Sequence, residues 1–204
     1  MKPPLPRVHA ITDERVARRP DLDRVAADLA AGGGAAVALH ARGRGLTGAE
    51  HFDLAARLST CPPARVFVND RLDVALATPA AGVQLGRGGL TPEDARRLEP
   101  EWWIGVSVHD LDEARAAQAA GADYLLVGTV FPTASHPERT PLGESGLAKI
   151  AALGLPVVAI GGITPARVAA VRAAGAYGVA AIRGLWDALE PDAAARQMLE
   201  GLTA

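Results

Sequence analysis

Pro156-Val-Val-Ala-Ile-Gly-Gly-Ile163 is followed directly by Thr164-Pro165. The Pro-Val-Val-Ala-Ile run has no polar face, so it reads as a strand buried on both sides, as in a parallel sheet covered by helices. Gly161 and Gly162 end it. Glycine there lets the backbone turn and approach a ligand with no Cβ in the way, and a helix opening at Thr164-Pro165 turns its N-terminal dipole the same way. The pair suits a phosphate; the alternative is a plain strand-to-helix turn.

Working outward, short apolar runs alternate with Ala/Leu-rich segments, the signature of βα units. Strands are predicted at Arg7–Thr12, Ala35–His40, Arg65–Asn69, Gly82–Leu85, Trp103–Val108, Ala122–Phe131, Pro156–Ile160 and Gly178–Ile182. Helices are predicted at Asp21–Ala31, Thr47–Leu58, Arg71–Thr78, Thr91–Leu98, Asp110–Ala120, Glu144–Leu153, Thr164–Ala174 and Asp192–Leu202. Asp21, Thr47, Thr91, Asp110 and Thr164 supply start signals, and Gly32, Gly121, Gly154 and Gly175 supply stops. Eight units of about 25 residues fit a small (β/α)₈ TIM barrel of class α/β, with residues 1–204 as one domain. An open doubly wound sheet is the alternative.

Composition narrows the partners. Hydrophobic residues make up 49% of the 204, but no run reaches the roughly 18 apolar residues of a membrane span. The N-terminal MKPPLPRVHAITD lacks a secretory apolar stretch, and the single cysteine, Cys61, offers neither a disulfide framework nor a thiolate metal site. A cytoplasmic protein is expected. The net charge of −2, with both signs interspersed, speaks against nucleic acid or a membrane surface as partner. A small phosphorylated substrate is expected, and a homo-oligomer is left open.

In a barrel, function gathers on the loops after the strands. Those ends hold Thr12-Asp13, His40 and Arg42, Asn69-Asp70, Gln84 and Gly86, Ser107 and His109, Thr129 to His136, Gly161-Gly162 and Arg183-Gly184. Loops seven and eight form the usual phosphate site of such barrels, which supports Gly161, Gly162, Arg183 and Gly184 as an anion cradle. Asp70 reads either as a Mg²⁺ carboxylate or as a helix cap. In the long loop 129–143, Thr133, Ser135, His136 and Arg139 offer a second phosphate grip, or are the hydroxyls and charges of a solvated loop. His9 lies in the first strand and points into the barrel or is a satisfied core residue. His51 is expected at the surface, and Trp102 and Trp103 pack the opposite end.

The order ITD, NDR, GVxLG, IGVS, DYLLVG-x-VFPT and AIGGIT resembles the thiamine phosphate synthase/TenI family over nearly the whole chain. The resemblance implies a TIM barrel of thiamine biosynthesis, with thiazole phosphate held by Gly161 and Gly162 and by Ile182, Arg183 and Gly184. The synthase in that family expels Mg²⁺-bound pyrophosphate from a pyrimidine diphosphate, and the thiazole nitrogen captures the pyrimidine cation. This chain departs from the synthase pattern. Gln-x-Arg-x-Lys after strand two reads Ala38, His40 and Arg42. The second Mg²⁺ carboxylate falls on Gly89, and Thr-x-Thr-Lys reads Thr133, Ser135 and His136. Asn69, Asp70 and Ser107 are retained.

These departures favour the TenI-like branch, whose activity is tautomerisation of a thiazole phosphate. Its histidine falls on Thr129, leaving His40, His9 and His136 as candidate bases. The alternative is a divergent synthase in which Arg42, Arg87 and Arg139 replace the lost cations and Asp70 alone anchors Mg²⁺. A non-catalytic thiazole or thiamine phosphate binder is the third reading.

Overall fold

The computed structural model describes residues 2–133 and 140–203. Eight strands, β1 (Val8–Ile11), β2 (Val37–Ala41), β3 (Arg65–Asn69), β4 (Gly82–Leu85), β5 (Trp103–Val108), β6 (Tyr124–Val127), β7 (Val157–Ile160) and β8 (Gly178–Ala181), pair in sequence order. All pairings are parallel, and β8 returns to β1 through Val8↔Val179 and His9↔Ala180, closing a (β/α)₈ barrel.

Register explains the interior. Residues opposite one another in parallel strands face the same side, so Ile11↔His40, His40↔Phe67, Asn69↔Gln84, Gly105↔Tyr124 and Ala180↔His9 line the lumen together. Phe67 and Tyr124 fill it because glycine stands opposite each. A Cβ on Gly82 would lie 2.6 Å from the Phe67 ring, and one on Gly105 would lie 2.2 Å from Tyr124 Cζ. Outside the strands, the apolar stripe Leu22, Val25, Ala26 and Leu29 of α2 (Leu22–Gly33) packs on the barrel and on α10 (Pro191–Thr203). At Gly32, α2 approaches the backbone of Asp192 too closely for any side chain. The helix runs past the predicted stop at Gly32 to Gly33 and is capped by Gly34, with φ 55°.

The end of the barrel away from the strand C-termini is sealed. Lys2 Nζ donates to Trp102 O at 2.6 Å and pairs with Asp123, Trp103 Nε1 donates to Pro3 O, and Tyr177 OH donates to Leu5 O. Trp102 and Trp103 thus serve packing. The loops after the strand C-termini form the mouth at the other end.

Three predicted features move. The sixth strand stops at Val127, although Val130 and Phe131 still bond to Ile160 O and Gly161 O. His51 is buried in α3 (Gly48–Leu58), where Nε2 donates to Ala41 O at 2.9 Å, so the expected surface position is corrected. Beyond the predicted helices there are two four-residue ones, α1 (Glu14–Ala17) and α9 (Arg183–Trp186), besides α4 (Leu72–Leu76), α5 (Pro92–Leu98), α6 (Leu111–Ala119), α7 (Gly143–Ala151) and α8 (Pro165–Ala173).

Candidate active site

The cradle forms at β7 and β8. Gly161 and Gly162 both take left-handed backbone, φ 101° and 64°, which costs other residues strain. Space forbids a side chain as well: a Cβ on Gly162 would sit 2.6 Å from Pro132 O, and one on Gly161 would sit 2.8 Å from Thr129 Cα. Successive N–H groups in such turns form an anion-binding concavity. α8 then starts with Thr164 making no side-chain cap and with no acidic residue in its first turn; Pro165 brings no N–H and Arg167 N bonds to Thr164 O, so what α8 offers an anion is the Ala166 N–H and the positive end of its dipole. α9 begins at Arg183 after Ile182, again without a side-chain cap. A short extra helix after β8 whose N-terminus joins the loop after β7 is the usual phosphate arrangement of these barrels. The fold places Ile182, Arg183 and Gly184 in that helix start rather than in a strand end.

Opposite the cradle, Asn69 and Asp70 end β3. Asp70 adopts φ 60°, a left-handed value that aspartate tolerates, and its Oδ1 accepts the Gly86 N–H at 2.5 Å. Arg71 occupies the cap position of α4 and pairs with Asp73, so Asp70 is not the helix cap. Burial and the like charge of Arg44 draw the Arg42 pKa down, opposed in part by the nearby carboxylates of Glu14, Asp70 and Asp13. Thr12 Oγ1 fixes this loop, accepting from Arg42 N and donating to His40 O or Arg42 O. Gln84 Nε2 donates to Ser107 Oγ at 3.0 Å, orienting that hydroxyl at the end of β5.

Where the segments after β4, β5 and β6 meet, a cavity of about 290 Å³ is lined by Arg87, His109, Gly128, Thr129, Thr140 and Leu142. His109 opens from Val108 and its Nδ1 lies 2.9 Å from Glu113 Oε2, while Arg87 pairs with the other oxygen of Glu113. His109 stood among the strand ends of the sequence without a role; its pairing with a carboxylate one helical turn on is the added observation. Thr133 lies at the edge of the loop. Ser135, His136 and Arg139 fall outside the described residues.

His9 and His40 do not face the mouth. Both are fully buried, and they form a chain: His9 Nε2 to Pro6 O at 3.0 Å, His9 Nδ1 to His40 Nε2 at 2.9 Å, and His40 Nδ1 to the Asn69 amide at 3.0 Å. Burial pushes His9 down to about 4 and His40 well below 6.5. Neutral rings closed off in this way are poorly placed as bases for a substrate at the mouth.

For a divalent cation the donor set is thin. No group of three His, Cys, Asp or Glu side chains converges among the described residues. Asp70 offers one carboxylate, and the position of Gly89 faces open space. Mg²⁺ does bind through one or two protein carboxylates when substrate phosphates complete its shell, so Asp70 fits as a single anchor.

Against known proteins, the family described as thiamine monophosphate synthase (TMP-TENI) matches residues 8–185. The thiamine-phosphate synthase of Moorella thermoacetica is 42% identical over 199 residues, covering 95% of this chain and 93% of its own length. The thiamine-phosphate synthase of Salinispora tropica is 42% identical over 205 residues, 98% of each chain. Among solved structures, thiamine phosphate pyrophosphorylase from Pyrococcus furiosus superposes with a TM-score of 0.83 at 32% identity, over 97% of this chain and 95% of that one. A 3-hexulose-6-phosphate synthase with a TM-score of 0.72 and 19% identity shares the fold alone.

Proposed function

Since the chain belongs to the thiamine monophosphate synthase family, we propose that it joins a pyrimidine diphosphate to a thiazole phosphate, releasing pyrophosphate. Full-length similarity to proteins named thiamine-phosphate synthase favours this reading over the tautomerase expected from the sequence departures. The cradle of Gly161, Gly162 and the starts of α8 and α9 suits the monoester phosphate this reading requires. The reading is reinforced by the burial of His9 and His40, which removes two of the three candidate tautomerase bases from the mouth.

In this reading the cradle anchors the thiazole by its phosphate and aims the ring nitrogen across the mouth toward β3. The C–O bond to the diphosphate breaks with its electron pair leaving on the pyrophosphate, and the thiazole nitrogen lone pair forms the new C–N bond. The barrier falls as positive charge meets the departing oxygens. Arg42, with Asp70 and Arg44 near it, and Arg87, in the cavity beside Thr129, are described cations on that side. Mg²⁺, held through Asp70 and the phosphates, would supply further neutralising charge when bound. The test is release of pyrophosphate in equimolar amount with thiamine phosphate, dependent on both substrates. Release with the pyrimidine diphosphate alone, at the same rate, would contradict capture by thiazole.

A second reading, tautomerisation of a thiazole phosphate, draws on one observation: His109, oriented by Glu113, lines the same cavity as Thr129. His109→Gln, assayed for proton exchange at the thiazole carbon, tests it.

A further inference from the structure

We propose that His9 and His40 are positioning residues that fix which face the Asn69 amide turns to the barrel mouth. The inference follows from counting donors along the buried chain. Pro6 O is a carbonyl and only accepts, so His9 Nε2, 3.0 Å away, carries a hydrogen. In a neutral ring the other nitrogen is then a lone pair. His9 Nδ1 therefore accepts, and His40 Nε2 donates to it across 2.9 Å. By the same rule His40 Nδ1 is a lone pair, and it faces Asn69 at 3.0 Å.

An amide oxygen set against that lone pair would put two acceptors in contact in the driest part of the barrel. The amide takes the rotated arrangement instead, with Nδ2 inward as donor to His40, the orientation the network requires. The alternative needs an extra proton on one ring, so that His40 Nδ1 could donate to Oδ1. Burial opposes a charged imidazole, Arg42 adds a like charge near His40, and no carboxylate bonds to either ring among the described residues.

The outer atom of Asn69 is thereby Oδ1. The structure sets Oδ1 3.0 Å from His40 Nδ1; rotating the amide exchanges it with Nδ2 and turns it away from His40, at the C-terminal end of β3 beside Asp70. The group such an oxygen can receive is a hydrogen-bond donor, an N–H or O–H. This consequence rests on the mouth being the substrate site; the tautomer assignment does not.

The experiment is long-range ¹H–¹⁵N correlation of the histidine rings in the ¹⁵N-labelled full chain at neutral pH, without substrate. Both His9 and His40 are expected as neutral Nε2–H tautomers, each with an unprotonated Nδ1. A His40 ring that carries hydrogen on Nδ1, alone or as an imidazolium, would overturn the proposal. Asn69→Asp supplies a second readout, because a carboxylate can only accept and calls a proton onto His40 Nδ1. Appearance of that proton supports the coupling, and a His40 spectrum unchanged in a folded Asn69→Asp variant whose carboxylate ¹³C shift shows it ionised contradicts it. Because no substrate is present, failure here is separable from failure of the synthase reading.

Discussion

Asp70 Oδ1 accepts the backbone N–H of Gly86 at 2.5 Å, tying the end of β3 to the end of β4 with a carboxylate that also faces Arg42. Asp70→Asn keeps an acceptor for Gly86 and loses only the charge. It is expected to lower kcat/KM about 100-fold, equivalent to about 2.7 kcal/mol, and to abolish the response to Mg²⁺. Stability should change by less than about 0.5 kcal/mol. Steady-state rates across a Mg²⁺ titration, with urea unfolding alongside, check it; a variant still driven by Mg²⁺ removes Asp70 as anchor.

Gly162→Ala places a Cβ 2.6 Å from Pro132 O in a left-handed backbone, so the cradle must open. Calorimetric titration with thiazole phosphate should show affinity reduced about tenfold or more, at least about 1.4 kcal/mol. Gly121→Ala, at φ 88° with nothing within 4 Å, is the control for strain alone: about 1 kcal/mol less stable, with affinity unchanged.

Stability should fall on mild acidification, and the sign follows from the histidine pair. Burial holds His9 at about 4 and His40 well below 6.5, whereas the unfolded chain titrates near 6.5. Above that value neither state is protonated and stability is level. As pH falls from about 6.5 toward 4 the unfolded chain takes up protons that the fold refuses, and unfolding free energy drops by about 1.4 kcal/mol per pH unit for each ring. Urea unfolding between pH 7.5 and 5 measures the slope. His9→Gln should roughly halve it, and a slope untouched by that change would show that His9 does not contribute.

The Tyr124 hydroxyl is buried without a hydrogen-bond partner among the described residues. Tyr124→Phe removes an unsatisfied polar atom and keeps the ring against His9 and Phe67, so it should stabilise the fold by about 1 kcal/mol in chemical denaturation. A loss of similar size would mean that the hydroxyl is satisfied in solution.

Local chemistry explains what was legible in the chain. An apolar run ending in Gly161-Gly162 and opening onto Thr164-Pro165 announces a buried strand, a left-handed turn and a helix start from adjacent residues alone. The same alternation located all eight strands. The four-residue α9 was not legible, since Arg-Gly-Leu-Trp spans about one turn and carries neither a cap nor a period. The His9–His40 contact joins residues 31 apart, and only barrel register brings their rings together. His51 misled because a polar residue in an amphipathic helix suggests solvent, while here its Nε2 reaches Ala41 O across the strand–helix interface. The His109–Glu113 spacing of four was visible, but nothing local said that the pair lines a cavity with Thr129.

The most direct test of the central claim is turnover by the purified chain supplied with pyrimidine diphosphate, thiazole phosphate and Mg²⁺, with thiamine phosphate followed by its fluorescent oxidation product. The account predicts steady formation of thiamine phosphate, abolished by omitting either substrate and reduced about 100-fold in Asp70→Asn. Tight thiazole-phosphate binding with no thiamine phosphate formed would contradict it, leaving the cradle of Gly161 and Gly162 to serve tautomerisation or binding alone.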